Sequence, residues 1–311
     1  MLRGLGGTMS ENAPGLGEIL SHFSWDIPWI AAMVAAGLIY VRAFRRARAL
    51  PRETHPPTWK LIAFLAGLVA LAIAVLSPLE HYGNQVLWIN FVDFLVLTMV
   101  APPLLLLGSP LTLAFYVTGP RGRARLRAVY RCQVLRYLTF PVVSGILFAV
   151  VTYLWQFTGL LKFAADHVFV RDIQQVTLLA VSLIFWMPAL ATDPMRWRVP
   201  YPFRALYVLA EMVHKSLFTA MFLSASRPFH RSFARDLPDW APDAMTDQRI
   251  AIILLWMGGN AVFVTVLAFI VARWLSYEQR NQQRIDRRLA LQRAAEERRR
   301  EALEKVFQRT V

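Results

Sequence analysis

The stretch Val86-Leu-Trp-Ile-Asn-Phe-Val-Asp93-Phe-Leu-Val-Leu-Thr-Met-Val-Ala-Pro102-Pro103-Leu-Leu-Leu-Leu107 carries one charged side chain, Asp93. A helix needs roughly 20 mostly apolar residues to cross the hydrocarbon core of a bilayer, and this run supplies them. Pro102 and Pro103 remove amide donors and predict a break near its end. The following Ser109-Pro110 and the apolar residues up to Tyr116 are accordingly read as a kinked or partly re-entrant continuation. Working outward, further apolar runs of spanning length occupy 25–43, 60–79, 137–158, 173–192, 203–224 and 249–274. Together they predict an all-α polytopic membrane protein with seven transmembrane helices.

Composition agrees. The 311 residues are 56% hydrophobic, with 34 Lys+Arg against 20 Asp+Glu and a single Cys. Such a chain is not a disordered protein, a disulfide scaffold or a Cys-based metal domain. The excess positive charge falls in blocks. Lys and Arg number 6 in 42–60, 6 in 119–137, 3 in 193–204 and 11 from Arg273 onward. The intervening segments hold 1 before Trp25, none in 81–85, 2 in 159–172 and 4 in 225–249. Alternation of this kind is what the positive-inside bias produces, so the rich segments are expected in the cytoplasm. The N-terminus is then outside and the C-terminus inside, in the plasma membrane of a prokaryote.

Three regions follow: an extracytoplasmic segment 1–24, a transmembrane domain 25–275, and a basic helical tail 276–311 in the cytoplasm. The first 24 residues lack the basic start and short apolar core of a cleavable signal peptide. Cys132, in a cytoplasmic loop, is expected to stay reduced. The tail reads as a solvated charged helix attracted to anionic lipid, with partner binding the alternative. Tyr277 and Phe307 are its two aromatic residues, and they do not interleave its arginines as a nucleic-acid surface would, so nucleic acid is not an expected partner.

Charges inside the spans need partners or an aqueous cavity. Asp93 lies in the third span, and Glu211, His214 and Lys215 share one face of the sixth at i, i+3, i+4 spacing. Counted from the outer surface, Asp93 and Lys215 sit at similar depths, which suggests that they pair; an intrahelical Glu211–Lys215 pair is the competing reading. Intramembrane Asp, Glu, His and Lys are also parts of ion pathways. An ion or small-solute transporter using Asp93, Glu211, His214 and Lys215 is therefore the alternative function, although the chain shows no internal repeat of the kind common in transporters. No nucleotide-binding, hydrolase or metalloprotease motif is present, and no enzyme activity is expected. The histidines form no His-x-His or His-x-x-x-His pair; His167 and His214 are the weak metal candidates, and no metal or other cofactor is expected.

Several segments, taken in order, resemble the CtaG family of cytochrome c oxidase assembly factors. They are Asn90 through Pro110 with its Ala101-Pro102-Pro103; Trp155-Gln156; Leu183 through Pro188 with Trp186; Ser226-Arg-Pro228-Phe-His230; and Asp247-Gln248 with Leu255-Trp256. The resemblance covers about residues 60–270. It implies a membrane factor for maturation of an oxidase copper centre, with oxidase subunits or another respiratory membrane complex as partners. An accessory or scaffold subunit of such a complex is the variant reading.

The family pattern has histidines where this chain reads Asn90, Phe94, Gln156, Arg171 and Gln175, a glutamine where it reads Asp93 and a glutamate where it reads Gln174. Phenylalanine cannot ligate, arginine stays protonated and amides bind copper poorly, so direct copper binding is not expected. Asn90, Asp93, Trp155, Gln156, Arg171, Gln174, Gln175, Asp247 and Gln248 form the expected polar cluster, toward the outer side of the membrane. Within it, Arg171 or Lys215 is expected to supply the charge that a cation supplies in histidine-bearing relatives.

Overall fold

The computed structural model describes residues 15, 17, 23–51, 55–193, 197, 199–235 and 237–310. Most of segment 1–24 lies outside the described residues. The chain is 83% helical, and no strand occurs among the described residues. Among the described residues, six helical stretches, one of them the composite Leu87–Val117, are long and apolar enough to cross a membrane, and a seventh crossing requires a bent pair to be counted as one. The chain divides into two units, 1–266 and 267–311.

Helix α1 spans Ile27–Ala49 and opens on Asp26, whose side chain accepts the Trp29 amide at 3.4 Å. α2 covers Thr58–Leu76, and the short α3 covers Pro78–Gly83 behind the capping Ser77. Leu87–Leu95 forms α4, Val96–Val100 a π-helical turn, Ala101–Leu107 α5 and Pro110–Val117 α6. Two connecting helices, α7 (Pro120–Arg131) and α8 (Gln133–Leu138), carry the arginines of 119–137. Then come α9 (Pro141–Gln156), α10 (Leu160–Asp166), α11 (Val168–Leu190), α12 (Tyr201–Leu223), α13 (Arg231–Arg235) and α14 (Ala244–Thr310). Proline stands in the first turn of α1, α3, α6, α7, α9 and α12, where its missing amide costs no helical hydrogen bond.

The break in the third run lies elsewhere than the prolines predict. Pro102 and Pro103 begin α5 without a loop, because the preceding π turn absorbs the register change. Neither proline can donate to the carbonyl of Thr98, so both the α and the π partner of that oxygen are lost. Trp186 supplies the donor instead, its indole Nε1 lying 3.0 Å from Thr98 O, with both groups fully buried. The chain actually interrupts itself at Gly108–Ser109, where Ser109 adopts a left-handed conformation with φ 51°.

The fourth run also differs from its expected form. Helix α9 has 16 residues, about 24 Å at 1.5 Å per residue, less than a bilayer core. It reaches spanning length only with α10, from which it is bent by 63°. Pro141 fixes its start, and the Thr158-Gly159 turn separates it from α10.

Two helices lacking side-chain caps of their own are capped from far along the chain. Asp247, in the first turn of α14, accepts the amides of Leu87 at 3.0 Å and Trp88 at 2.9 Å, the opening of α4. Asp193, just after α11, accepts the Leu111 and Thr112 amides at 3.3 and 2.7 Å and the Thr112 hydroxyl at 2.6 Å, at the opening of α6. Burial raises the Asp193 pKa; the hydrogen bonds from Thr112 and Leu111 and the charge of Lys60 pull it back. A carboxylate at a helix N-terminus satisfies orphan amides and complements the helix dipole. Both long-range caps fasten the ends of the third apolar run, which forms much of the buried core with α2 and α11.

Candidate functional site

A polar cavity of about 30 Å³ lies among α3, α4, α9 and α11. Asn90 and Asp93 face it from α4, Gln156 from the end of α9, Arg171, Gln174 and Gln175 from the start of α11, and Glu80 from α3. These positions lie near the ends of their helices because Asn84-Gln85, Phe157–Gly159 and His167 connect the same end of the fold. The Arg171 guanidinium Nε sits 2.8 Å from Glu80 Oε1, an ion pair that is not aligned for a hydrogen bond. The Ser24 hydroxyl donates to Glu80 Oε2 at 3.0 Å, and Gln156 Nε2 approaches Asn90 Oδ1 at 3.5 Å. Burial pushes the Glu80 pKa above its ordinary value, with Arg171 and Ser24 opposing that rise. Three buried acceptors, Asp93 Oδ1, Gln156 Oε1 and Gln175 Oε1, have no hydrogen-bond donor. The cavity is about the volume of one small polar molecule.

Six of the residues expected at this cluster therefore converge: Asn90, Asp93, Gln156, Arg171, Gln174 and Gln175. The other three stand apart. Trp155 points into the core, with Nε1 donating to Thr177 Oγ1 at 3.0 Å. Asp247 caps α4, and Gln248 Oε1 accepts the Phe229 amide at 2.7 Å. Glu80, which the sequence reading missed, supplies the counter-charge. Its spacing from Ser77 is that of a capping box, a pattern that directs attention to the local helix terminus. Here Glu80 turns to Arg171 instead.

The expected pairing of Asp93 with Lys215 does not occur. Lys215 belongs to a second cavity, of about 40 Å³, walled by Phe94, Tyr153, Thr152, Glu211 and His214. Its Nζ lies 5.5 Å from the Phe263 ring centroid and has no hydrogen-bond partner. Residue count along a helix carries no information about the helix's rotation. Asp93 turns toward α11 and Lys215 toward Phe263. No ion pair joins Glu211 to Lys215 either: Glu211 Oε1 lies 3.4 Å from His214 Nδ1, and His214 Nε2 lies 2.5 Å from the Tyr153 hydroxyl. The four charged side chains thus line two cavities, Asp93 one and Glu211, His214 and Lys215 the other.

The profile of the cytochrome c oxidase caa3 assembly factor family matches residues 38–276. The chain belongs to this family. Among similar proteins are uncharacterized ones from Mycobacterium bovis, Mycobacterium tuberculosis and Mycobacterium leprae. Each is 27% identical over 283 residues, covering 88% of this chain and 42% of theirs. The chain thus spans about two fifths of the length of these curated relatives. No solved structure matches it.

Copper favours imidazole and sulfur, whereas the polar cavity offers amide and carboxylate oxygens and a guanidinium that already has a counter-ion. Among the described residues, no three His, Cys, Asp or Glu side chains converge as a metal site. His167 is exposed, with Nδ1 3.0 Å from Phe163 O, and His214 is engaged by Tyr153 and Glu211. His230 lies against Phe157 and Phe233, its Nε2 buried without a partner, and burial lowers its pKa to about 4. These residues do not fit a copper ion at the position where the resemblance implies one.

Proposed function

We propose that this chain promotes assembly or stability of a haem–copper cytochrome c oxidase without catalysing a reaction and without itself carrying copper. It acts in the plasma membrane of a prokaryote through contacts of its helices with oxidase subunits. The observation that carries this reading is the Arg171–Glu80 pair inside the polar cavity. A fixed positive charge occupies the place where a bound cation would otherwise offset the carboxylates and amide oxygens, so the helix ends remain joined without metal.

Gentle-detergent purification through a tag on the C-terminus tests it. Oxidase subunits are expected in the eluate, with copper well below one equivalent per chain. Stoichiometric copper, or an eluate free of oxidase subunits, overturns the reading.

The orientation belongs to the same proposal: N-terminus outside, C-terminus and the 119–137 arginines in the cytoplasm, as the distribution of Lys and Arg favours. Cys132 is the single cysteine and its side chain is exposed, which makes it a native reporter. A membrane-impermeant maleimide is expected to label it only after cells are opened. Labelling of intact cells reverses the assignment.

A further inference from the structure

A groove of about 650 Å³ runs between α9 and α12, lined by Ile146, Ala149, Phe203, Leu206 and Tyr207 among others. Ala149, Glu211 and His214 line both this groove and the cavity of Lys215, so the two lie side by side. Within that inner cavity, Lys215 Nζ and Thr152 Oγ1 are buried and lack hydrogen-bond partners. Gly259 gives the ammonium its room, since a Cβ at that position would collide with Nζ. An ammonium offers three donors and no acceptor, and a hydroxyl can donate one more. The nearby carboxylate, Glu211, is already turned to His214. Two buried donors without protein partners beside a long apolar groove suit a ligand that brings an acceptor on a hydrocarbon tail.

Size restricts the head further. The inner cavity, about 40 Å³, is small and suits a carbonyl or carboxylate oxygen better than a phosphodiester with its glycerol. We propose that the groove between α9 and α12 holds the hydrocarbon tail of a membrane lipid whose carbonyl or carboxylate oxygen is received by Lys215 Nζ and Thr152 Oγ1. A free fatty acid and a prenylated quinone share this chemistry. The inference does not depend on the oxidase reading.

Trp197 lines the groove and reports occupancy. The full chain in phosphatidylcholine nanodiscs is titrated with dibromostearate, and separately with a short-tailed menaquinone. Both quench tryptophan fluorescence, and the difference from Trp197→Phe isolates the reporter. Saturable quenching is expected, with its midpoint raised about tenfold in Lys215→Met, the size expected for loss of a charge-assisted hydrogen bond, and less in Thr152→Val. Saturation by the stearate assigns the site to a lipid carboxylate, and saturation by the quinone to a prenylated carbonyl; either supports the proposal. Quenching by both probes that never saturates, or that has one midpoint in all variants, overturns it. If Lys215→Met fails to accumulate, Thr152→Val and the groove-filling Ala149→Phe decide by the same criterion.

Discussion

Arg171→Leu is expected to destabilise the protein by about 3 kcal/mol at pH 8, the lower end of the range for removing one partner of a buried ion pair. The lower end applies because the Arg171 and Glu80 side chains keep 21% and 10% of their exposure, so solvent still screens the pair. The loss should depend on pH in a definite direction. Burial already raises the Glu80 pKa, and Arg171 is the largest influence opposing that rise. Without the guanidinium, the folded-state pKa climbs further above the unfolded value, so the folded protein binds a proton that the unfolded chain releases. Stability then falls as pH rises from the unfolded pKa through the folded one. The variant should accordingly lie closer to wild type at pH 5 than at pH 8, as read from the loss of monodisperse protein on heating in detergent. Adding Glu80→Gln should recover part of the loss at pH 8 and remove most of the difference between the two pH values. If the double variant is as unstable as the sum of the singles, the two groups act independently and the cavity is not held by their attraction.

How much of this arrangement was legible beforehand depended on which coordinate the sequence encodes. Hydropathy encodes length along a helix, and the third run was recognised from it. The same run also shows the limit of local rules, because Pro102 and Pro103 do not open a loop there. The carbonyl they orphan, Thr98 O, is satisfied by Trp186 from another helix, a partner that no local pattern names. The convergence of Asn90, Asp93, Gln156, Arg171, Gln174 and Gln175 could be anticipated from family resemblance, which conveys tertiary proximity indirectly. Glu80 could not, since it stands outside those motifs on a helix of six residues. Asp247 was noticed, but its task of capping α4 lies 160 residues away in sequence. The mistaken Asp93–Lys215 pairing has a single cause: depth in a bilayer follows from residue count, whereas azimuth follows from packing.

Gly67→Ala reveals whether that packing is as tight as the backbone indicates, because two effects of opposite sign compete at this position. Alanine in a helix interior is favoured over glycine by about 1 kcal/mol, so in open surroundings the substitution stabilises. At Gly67, on α2, an added Cβ would lie 2.7 Å from the backbone nitrogen of Leu105 and 2.9 Å from its Cγ. A side chain can rotate away, but the Leu105 nitrogen moves only if α5 moves. Overpacking of this kind costs about 3 kcal/mol or more, which outweighs the propensity gain, and the apparent melting midpoint should fall by about 6 °C or more. Gly67→Val should leave little folded protein. Gly37→Ala is the control: its Cβ would meet only the end of the Leu68 side chain, at 3.3 Å, and the change should be near neutral. Small residues permit such close helix approach where the solvent is lipid and supplies no hydrophobic drive of its own. The contact also bears on the polar cavity. α5 is joined through the π turn to α4, so the distance between α2 and α5 helps set the rotation that turns Asp93 toward Arg171 and away from Lys215. A Gly67→Ala protein at least as stable as the parent would mean that α2 and α5 stand further apart, and the separation of the two cavities would lose its structural basis.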